Sequence, residues 1–463
     1  MSDSSVRTTP VTNYKTYTSV SGRYRYARIA LNNQAGSQIT LDPNTSQLLE
    51  WKLPVGVYNL SKSIIGYNMH LAAGGAGNFN HAFADSGLEI AQSISFGTAG
   101  GMSLVDLNFA NNYLSVARKI DTRGDDFANN DVSAGLYPSN SVANNPFPPG
   151  YTAPAGNIYG LVPGPVSVAA SLHEPQYLSS NLAADTALNV VRSFPLGNIS
   201  GTLFAMNRDL YLGDSMYLRI QTAPSGKVAF TSTSATDAGA GTAVLGTQPV
   251  LRSVYLYLAM ETDQLIQDSL MQKFVEGKLV FPIDYTHAFR NPSVGLGQQA
   301  IQLQLTAQYG RKLKRVLHAV FPANEVENNA FDHSNWNGSK VISYQSAIDS
   351  RPLQDFALNC VQPSTANPGN TLDDYRENMK SMKKSVISNS ASYQLNWFHS
   401  DEFSEPSTDP NIPDSNIIEG LDLTFPKTYQ ISLNTPNVNL SHYSFCKFSR
   451  EVAITATGPV FVA

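Results

Sequence analysis

Asp332, His333 and Ser334 stand side by side and hold, in three residues, the acid, base and nucleophile of a hydrolytic triad. Consecutive side chains diverge along any regular backbone, so these three cannot converge on one reacting atom. His399, Asp401 and His442 read as isolated groups. No G-x-S-x-G and no H-E-x-x-H occurs, and neither Gly74–Gly77 nor Gly239–Gly241 continues into a phosphate-binding loop. Paired carboxylates for glycoside hydrolysis must face one another about 5–10 Å apart, a distance no sequence supplies. The expectation is a chain that is not an enzyme and carries no cofactor.

Metal chemistry has one candidate. Asp121, Asp125, Asp126 and Asp131, with Asn129 and Asn130, offer hard oxygen ligands of the kind calcium takes, without the spacing or closing Glu of an EF-hand. A solvated loop is the favoured reading, so no metal is expected. The other acidic run, Asp401, Glu402, Glu405, Asp409 and Asp414, sits among Pro and Ser and reads as an exposed rim. Cys360 and Cys446 are too few for a disulfide framework and read as buried thiols, or as one bridge. Two basic clusters remain. Arg311, Lys312, Lys314 and Arg315 abut a strand, and Lys380, Lys383 and Lys384 close a helix, where they complement its dipole or face an anionic surface.

The elements that must position these groups are mostly strands. Ile65, Tyr67, Met69 and Leu71 alternate with polar or small residues, as do Met216, Leu218 and Ile220, then Ile301, Leu303 and Leu305, then Tyr429, Ile431 and Leu433. Val452, Ile454 and Ala456, then Val460 and Val462, extend the pattern to the C-terminus. Three helices interrupt it. Ser103-x-x-Asp106 and Thr371-x-x-Asp374 have capping-box form. They predict helices carrying Leu104, Leu107, Leu114 and Ala117, and Leu372, Tyr375, Met379, Met382 and Val386. A third, from Thr262 to Val275, presents Ile266, Leu270 and Phe274.

Only 14% of the 463 residues are charged, with a net charge of −5, so uncharged Asn, Ser, Thr and Gln must supply the polar surface. With 42% hydrophobic residues the chain can fill sizeable cores, and global attraction to nucleic acid is not expected. The polar first residues lack the apolar stretch of a signal peptide, and no run of about 18 apolar residues predicts a membrane helix. Synthesis in a cytosol is the expectation. Residues 1–30 read as an extended, mildly basic arm in which Arg23, Tyr24, Arg25 and Tyr26 either touch an anionic surface or form a first strand. The Ser/Thr/Ala/Gly stretch from Thr231 to Thr247 divides the remainder into 31–248 and 249–463. Each part carries strands, a helix and long Pro-rich excursions, among them Tyr137 to Pro165 and Ser400 to Asn416.

The segment from Phe194 to Ile220, in which a short apolar stretch (Leu203, Phe204) leads through a turn into a strong strand, resembles a late segment of the first domain in double jelly-roll major capsid proteins. Glu327 to Trp336, after a Lys/Arg-flanked strand, is similar to the same family, the lineage of adenovirus hexon, tailless membrane-containing phages and virophages. The resemblance implies an all-β chain of two tandem jelly-roll β-sandwich domains with a few short helices and long loop insertions. It implies a homotrimeric, pseudo-hexagonal capsomer tiling an icosahedral virion, touching neighbouring capsomers and minor and vertex capsid proteins. The arm and the basic clusters would meet an inner membrane or packaged DNA, and the Pro-rich excursions would be outer or inter-subunit loops. The alternative is a carbohydrate-binding or glycan-degrading β-sandwich protein, with Trp336, Trp397 and Tyr151 as stacking platforms.

Overall fold

The computed structural model describes residues 24–32, 38–42, 45–71, 79–83, 88, 90–99, 102–121, 137–138, 175–176, 179–180, 188–212, 216–225, 228–232, 248–277, 279–294, 297–322, 341–361, 365, 368–378, 397–404, 419–435, 440–455 and 458–462. Strands numbered in chain order build two sandwiches. In the first, one sheet orders β1 (Tyr24–Ala30), β15 (Val250–Glu261), β4 (Gly56–Leu71) and β11 (Leu188–Pro195). Short strands β2 (Gln38–Thr40) and β12 (Asp209–Leu212) add to β15 and β4. The other sheet orders β3 (Leu48–Leu53), β13 (Met216–Thr222), β6 (Ala91–Thr98) and β7 (Ser103–Asn108). A small sheet places β5 (Phe79–Phe83) between β10 (Ser179–Ser180) and β14 (Ala229–Ser232), and β8 (Tyr137–Pro138) pairs with β9 (Pro175–Gln176).

The second sandwich repeats the plan. One sheet orders β16 (Val280–Val294), β25 (Leu440–Thr455), β18 (Lys312–Pro322) and β22 (Phe398–Glu402), with β26 (Gly458–Val462) on β25 and β23 (Leu421–Asp422) on β18. Its companion orders β17 (Gly297–Leu305), β24 (Lys427–Thr435), β19 (Ser343–Ile348) and β20 (Arg351–Pro352), with β21 (Leu358–Asn359) on β19. The pairings are antiparallel, which suits sheets wet on one face and buried on the other. The alternation read from sequence is therefore obeyed where it was cleanest. Ile65, Tyr67 and Met69, Met216, Leu218 and Ile220, and Tyr429, Ile431 and Leu433 all point into one continuous apolar core. Val460 departs from it and faces outward on β26.

Four differences from the sequence reading have physical causes. Val250–Glu261, placed beyond the expected division at 248/249, hydrogen-bonds along β4 and β1 and so belongs to the first half's sheet. Tyr24–Ala30, counted within residues 1–30 of the arm, takes the first-strand alternative in that sheet, fixed by the Tyr24 hydroxyl donating to Asp209 Oδ1 at 2.9 Å and by Arg28 stacking 3.4 Å over Tyr255. Ser103 does not cap a helix: Ser103–Asn108 completes the edge beside β6, with Leu104, Val105 and Leu107 buried. The chain turns at Phe109 (φ 55°), and α1 (Ala110–Asp121) starts only there. The Thr371 device is likewise displaced. Leu372 takes a left-handed φ of 50°, α3 spans Asp373–Asn378, and Asp374 turns inward instead of reaching back to cap. Met379, Met382 and Val386 lie outside the described residues.

The third helix forms as its pattern predicts. α2 (Gln264–Val275) is capped by Asp263, which accepts from Leu265 N, and buries Ile266 and Leu270 while Phe274 packs edge-on against Tyr211. It connects the last strand of the first sandwich to the first strand of the second. α1 lies at their junction, where Tyr113 meets Phe445 at 5.1 Å and Phe109 meets Tyr443 at 5.2 Å. Beside them Gly201 (φ +66°) accepts from Thr286 Oγ1 at 2.7 Å, while Tyr113 donates to Ser200 O at 2.9 Å. A Cβ on Gly201 would lie 2.6 Å from Thr286 Oγ1 and 2.8 Å from the Tyr113 hydroxyl, both already committed. Gly201→Ala is therefore expected to cost about 1–3 kcal/mol, read from the urea midpoint. An unchanged midpoint would contradict this junction.

Candidate functional site

β22 breaks the half-buried rule, because its residues Phe398 to Asp401 are all buried. Edge position and α3 explain this. Asn378, at the end of α3, donates to Phe398 O at 3.0 Å and accepts from Ser400 N at 2.8 Å, so the helix seals one side of the strand. Trp397, His399 and Asp401 share the period-two spacing of a single strand face. Trp397 Nε1 donates to Asp374 Oδ2 at 2.7 Å, and His399 bridges Asp374 Oδ1 at 2.5 Å and Asp401 Oδ1 at 3.1 Å.

Asp401 is the hub. Its Oδ2 accepts from Tyr344 at 2.7 Å, from Ser346 at 2.8 Å and from the Tyr429 hydroxyl, and its Oδ1 accepts from Gln354 at 3.0 Å besides His399. The proton inventory then fixes the neighbours. Tyr429 gives its single proton to Asp401, so the contact of 3.0 Å to His318 Nε2 requires that nitrogen to donate. His318 Nδ1 is then the acceptor for Ser444 at 3.0 Å, and the ring is neutral. His399 lies between two carboxylates and donates from both nitrogens, as an imidazolium.

Electrostatics agree with the hydrogen bonding. Burial opposes charge on His399, but Asp374 and Asp401 outweigh it and raise its pKa to about 10. Burial would raise Asp401 as well, yet His399 holds it well below the usual carboxylate range. Desolvation lowers His318 strongly, aided by His442, and lowers His442 to about 3. Burial and the Asp401 charge push both tyrosines well above their ordinary range.

These groups have the chemistry of acid–base catalysis without its access. His318, Tyr344, Tyr429 and Asp374 are 0% exposed, and Asp401 is 7% exposed with five donors already on it. A general base must reach a substrate proton, and none of these can. The network braces the second sandwich. His318 and Asp401 belong to one sheet, Tyr344, Ser346 and Tyr429 to the other.

Several residues read from sequence take different places. His399, Asp401 and His442 are not isolated: the first two bond to each other, and His442 stacks on His318 at 5.3 Å. Asp401 is not part of an exposed rim, although Glu402 is exposed; Glu405, Asp409 and Asp414 lie outside the described residues. Of the first basic cluster, Lys312 pairs with Asp422 at 3.0 Å near the surface, but Lys314 and Arg315 are buried. A bulge in β18 between Leu313 and Arg315 re-aims Lys314, which meets Asp284 at 2.6 Å while Lys447 takes the other oxygen at 3.3 Å. Trp397 is 1% exposed and cannot serve as a glycan platform. Cys360 and Cys446 are free and buried. Asp121 closes α1, whereas Asp125, Asp126, Asp131, Trp336, Tyr151, the Asp332–Ser334 triplet and Lys380, Lys383 and Lys384 lie outside the described residues. Among the described residues no His, Cys, Asp and Glu side chains group to hold a metal ion, and no helix is long and apolar enough to cross a membrane. The missed signal was the i, i+2, i+4 spacing of Trp397, His399 and Asp401, hidden because polar alternation looks like a solvated strand.

Two consequences can be measured. Asp401→Asn leaves a buried imidazolium half-paired and is expected to cost about 3–5 kcal/mol by chemical denaturation. A loss below about 1 kcal/mol would contradict the hub. The pH profile follows from linkage. His442 and His318 titrate lower when folded, so the unfolded chain binds more protons and stability falls as pH drops from about 6.5 towards 3. His399 titrates higher when folded, so its contribution is full below about 6.5 and is lost as pH rises to about 10. His442→Leu is expected to flatten the acid limb of stability against pH, by up to about 1.4 kcal/mol per pH unit, and leave the alkaline limb. An unchanged acid limb would contradict the buried neutral ring.

No family model matches the chain, and no curated protein matches it. Solved structures do. A chain of the Sputnik virophage is 10% identical with a TM-score of 0.55, over 96% of this chain and 89% of that one. The Faustovirus major capsid protein is 9% identical with a TM-score of 0.51, over 93% and 90%. The mavirus major capsid protein is 7% identical with a TM-score of 0.50, over 99% and 94%. At such identities the likeness is one of architecture, and it extends through both sandwiches: the chain has the double jelly-roll fold of viral major capsid proteins.

Proposed function

We propose that this chain is the major capsid protein of an icosahedral DNA virus, a structural protein that trimerises into pseudo-hexagonal capsomers and resides in the virion shell. The observation that carries the reading is the likeness to capsid structures over more than nine-tenths of the chain, through two tandem sandwiches and not one. Sealing of the His–Asp–Tyr network supports it, because the groups best suited to catalysis are spent on bracing a sheet pair. The sparse charge suits large, wet contacts between copies. The strand pairing supports a first jelly roll ending at Glu261 and a second beginning at Val280, with α2 as the link.

The arm is residues 1–23, since Tyr24 onward is committed to β1. It carries Arg7, Lys15 and Arg23 against one acid, Asp3, a charge balance that suits contact with inner membrane or packaged DNA. Lys314 and Arg315 are inside the fold and take no part in that contact. Neighbouring capsomers and minor and vertex proteins are the remaining partners.

Light scattering of the purified protein is expected to give about 150 kDa, three times 50.2 kDa, with a hexagonal outline in negative stain. Removing residues 1–22 is expected to leave that species intact and to impair shell formation. A stable 50 kDa monomer of the full chain would contradict the capsomer reading. Loss of the trimer on truncation would contradict the placement of the arm.

A further inference from the structure

The outward face of the β17–β24–β19 sheet is built in cross-strand rows. Register places Gln298, Asn434 and Ser343 in one row, Ala300, Ser432 and Gln345 in the next, and Gln302, Gln430 and Ala347 in a third, with Gln304 beside Thr428 after them. None of these positions carries a charge. Amides and hydroxyls pair across the strands, Gln298 to Ser432 at 3.3 Å and Gln304 to Thr428 at 3.2 Å. The small residues Ala300, Ser432 and Ala347 sink a depression of about 330 Å³ into the face, hemmed by Gln302, Gln345 and Gln430. The matching face of the first sandwich is different: there Glu50 pairs with Arg219 at 2.7 Å, and Lys52 and Asp106 stand on neighbouring strands.

An exposed sheet face without charge is unusual, because charge is what keeps such faces apart. The strand bordering it adds to the case. β17 has no proline, no charge and an unbroken register over nine residues, and its outer edge pairs with no strand among the described residues. Charge returns at the rim of the face, where Lys427 meets Asp349 at 2.9 Å and Arg351 stands exposed on β20. Phe425 follows there at 76% exposure, and Leu353 leaves the adjoining β20.

We infer that this face is a contact between copies of the chain within the capsomer, its depression receiving an uncharged side chain of the neighbouring copy. The inference rests on the capsomer reading and goes beyond it by naming the surface. Chemistry selects the occupant. Phosphate, anionic lipid or an acidic peptide would find no cation within the rows, and a basic partner no anion, since the nearest charges, Lys427, Asp349 and Arg351, stand at the rim. A second copy offers what fits, since the chain is itself poor in charge and rich in amides and hydroxyls. β17 and β24 run about 30 Å and β19 about 20 Å, which together cover about 400 Å². That is half of a standard partner's share of about 800 Å², so the exposed Phe425 and Leu353 belong to the same contact.

Ala300→Arg and Ser432→Arg place a cation in the depression without touching the core, and Ser93→Arg on the outward side of β6 is the control. Expected is a fall from about 150 to about 50 kDa for both face variants at micromolar concentration, with unchanged urea midpoints, while the control stays trimeric. On the unaltered protein, backbone amides of residues 297–305 are expected to exchange at least tenfold more slowly in the trimer than in the diluted monomer. Trimeric face variants together with unchanged exchange would overturn this assignment and leave the capsomer reading standing. A monomeric unaltered protein would overturn the capsomer reading itself.

Discussion

One buried carboxylate organises the second sandwich. Asp401 comes from β22 in one sheet and takes hydrogen bonds from Tyr344, Ser346 and Tyr429 in the other, so the two layers are tied through the core by directional bonds. Dispersion and the hydrophobic effect would hold the layers together at many relative positions; five donors on two oxygens hold them at one. His399 then carries the tie outward to Asp374 and Trp397, which fixes α3 against the sheet. A buried ion pair adds little net stability over an apolar filling, and its best-attested use is to specify one arrangement. The first sandwich packs Trp51, Phe96, Phe204 and Leu218 in its core.

Between the sandwiches the demands are different. α1 is buried on most sides, with Ala110, Tyr113, Leu114, Val116 and Ala117 all inaccessible, and it presents Tyr113 to the second half. Gly201 lets the backbones approach closely enough for Thr286 to reach its carbonyl. Aromatic edges and short polar bonds tie the two jelly rolls together at this seam.

Legibility from sequence followed the environment of each strand. β13, β17 and β24 are wet on one face, so their period-two alternation was plain and their inward residues were correct. β22 is covered by α3, and β7 lies against β16 of the second sandwich, and there alternation loses its meaning. Ser103 and Asp401 were misjudged for that reason. The capping-box patterns placed two helix starts too early, at Ser103 and Thr371 instead of Ala110 and Asp373, because a Ser or Thr three residues before an Asp also fits an edge strand or a tight turn. The buried Lys314 could not be foreseen either, since only the bulge in β18 turns it towards Asp284. The uncharged Ser/Thr/Ala/Gly stretch from Thr231 to Thr247 precedes Val250–Glu261, a strand that the sheet order puts with β4 and β1.

The acid–base groups of the described residues lie inside the second sandwich, and the capsomer proposal assigns the function to outer faces. Electron cryomicroscopy of the purified native oligomer tests that claim most directly. It predicts three copies about one threefold axis, with their six sandwiches forming near-equivalent wedges and the β17–β24–β19 face at the seam between copies. A monomer, or an oligomer without threefold symmetry, would contradict it.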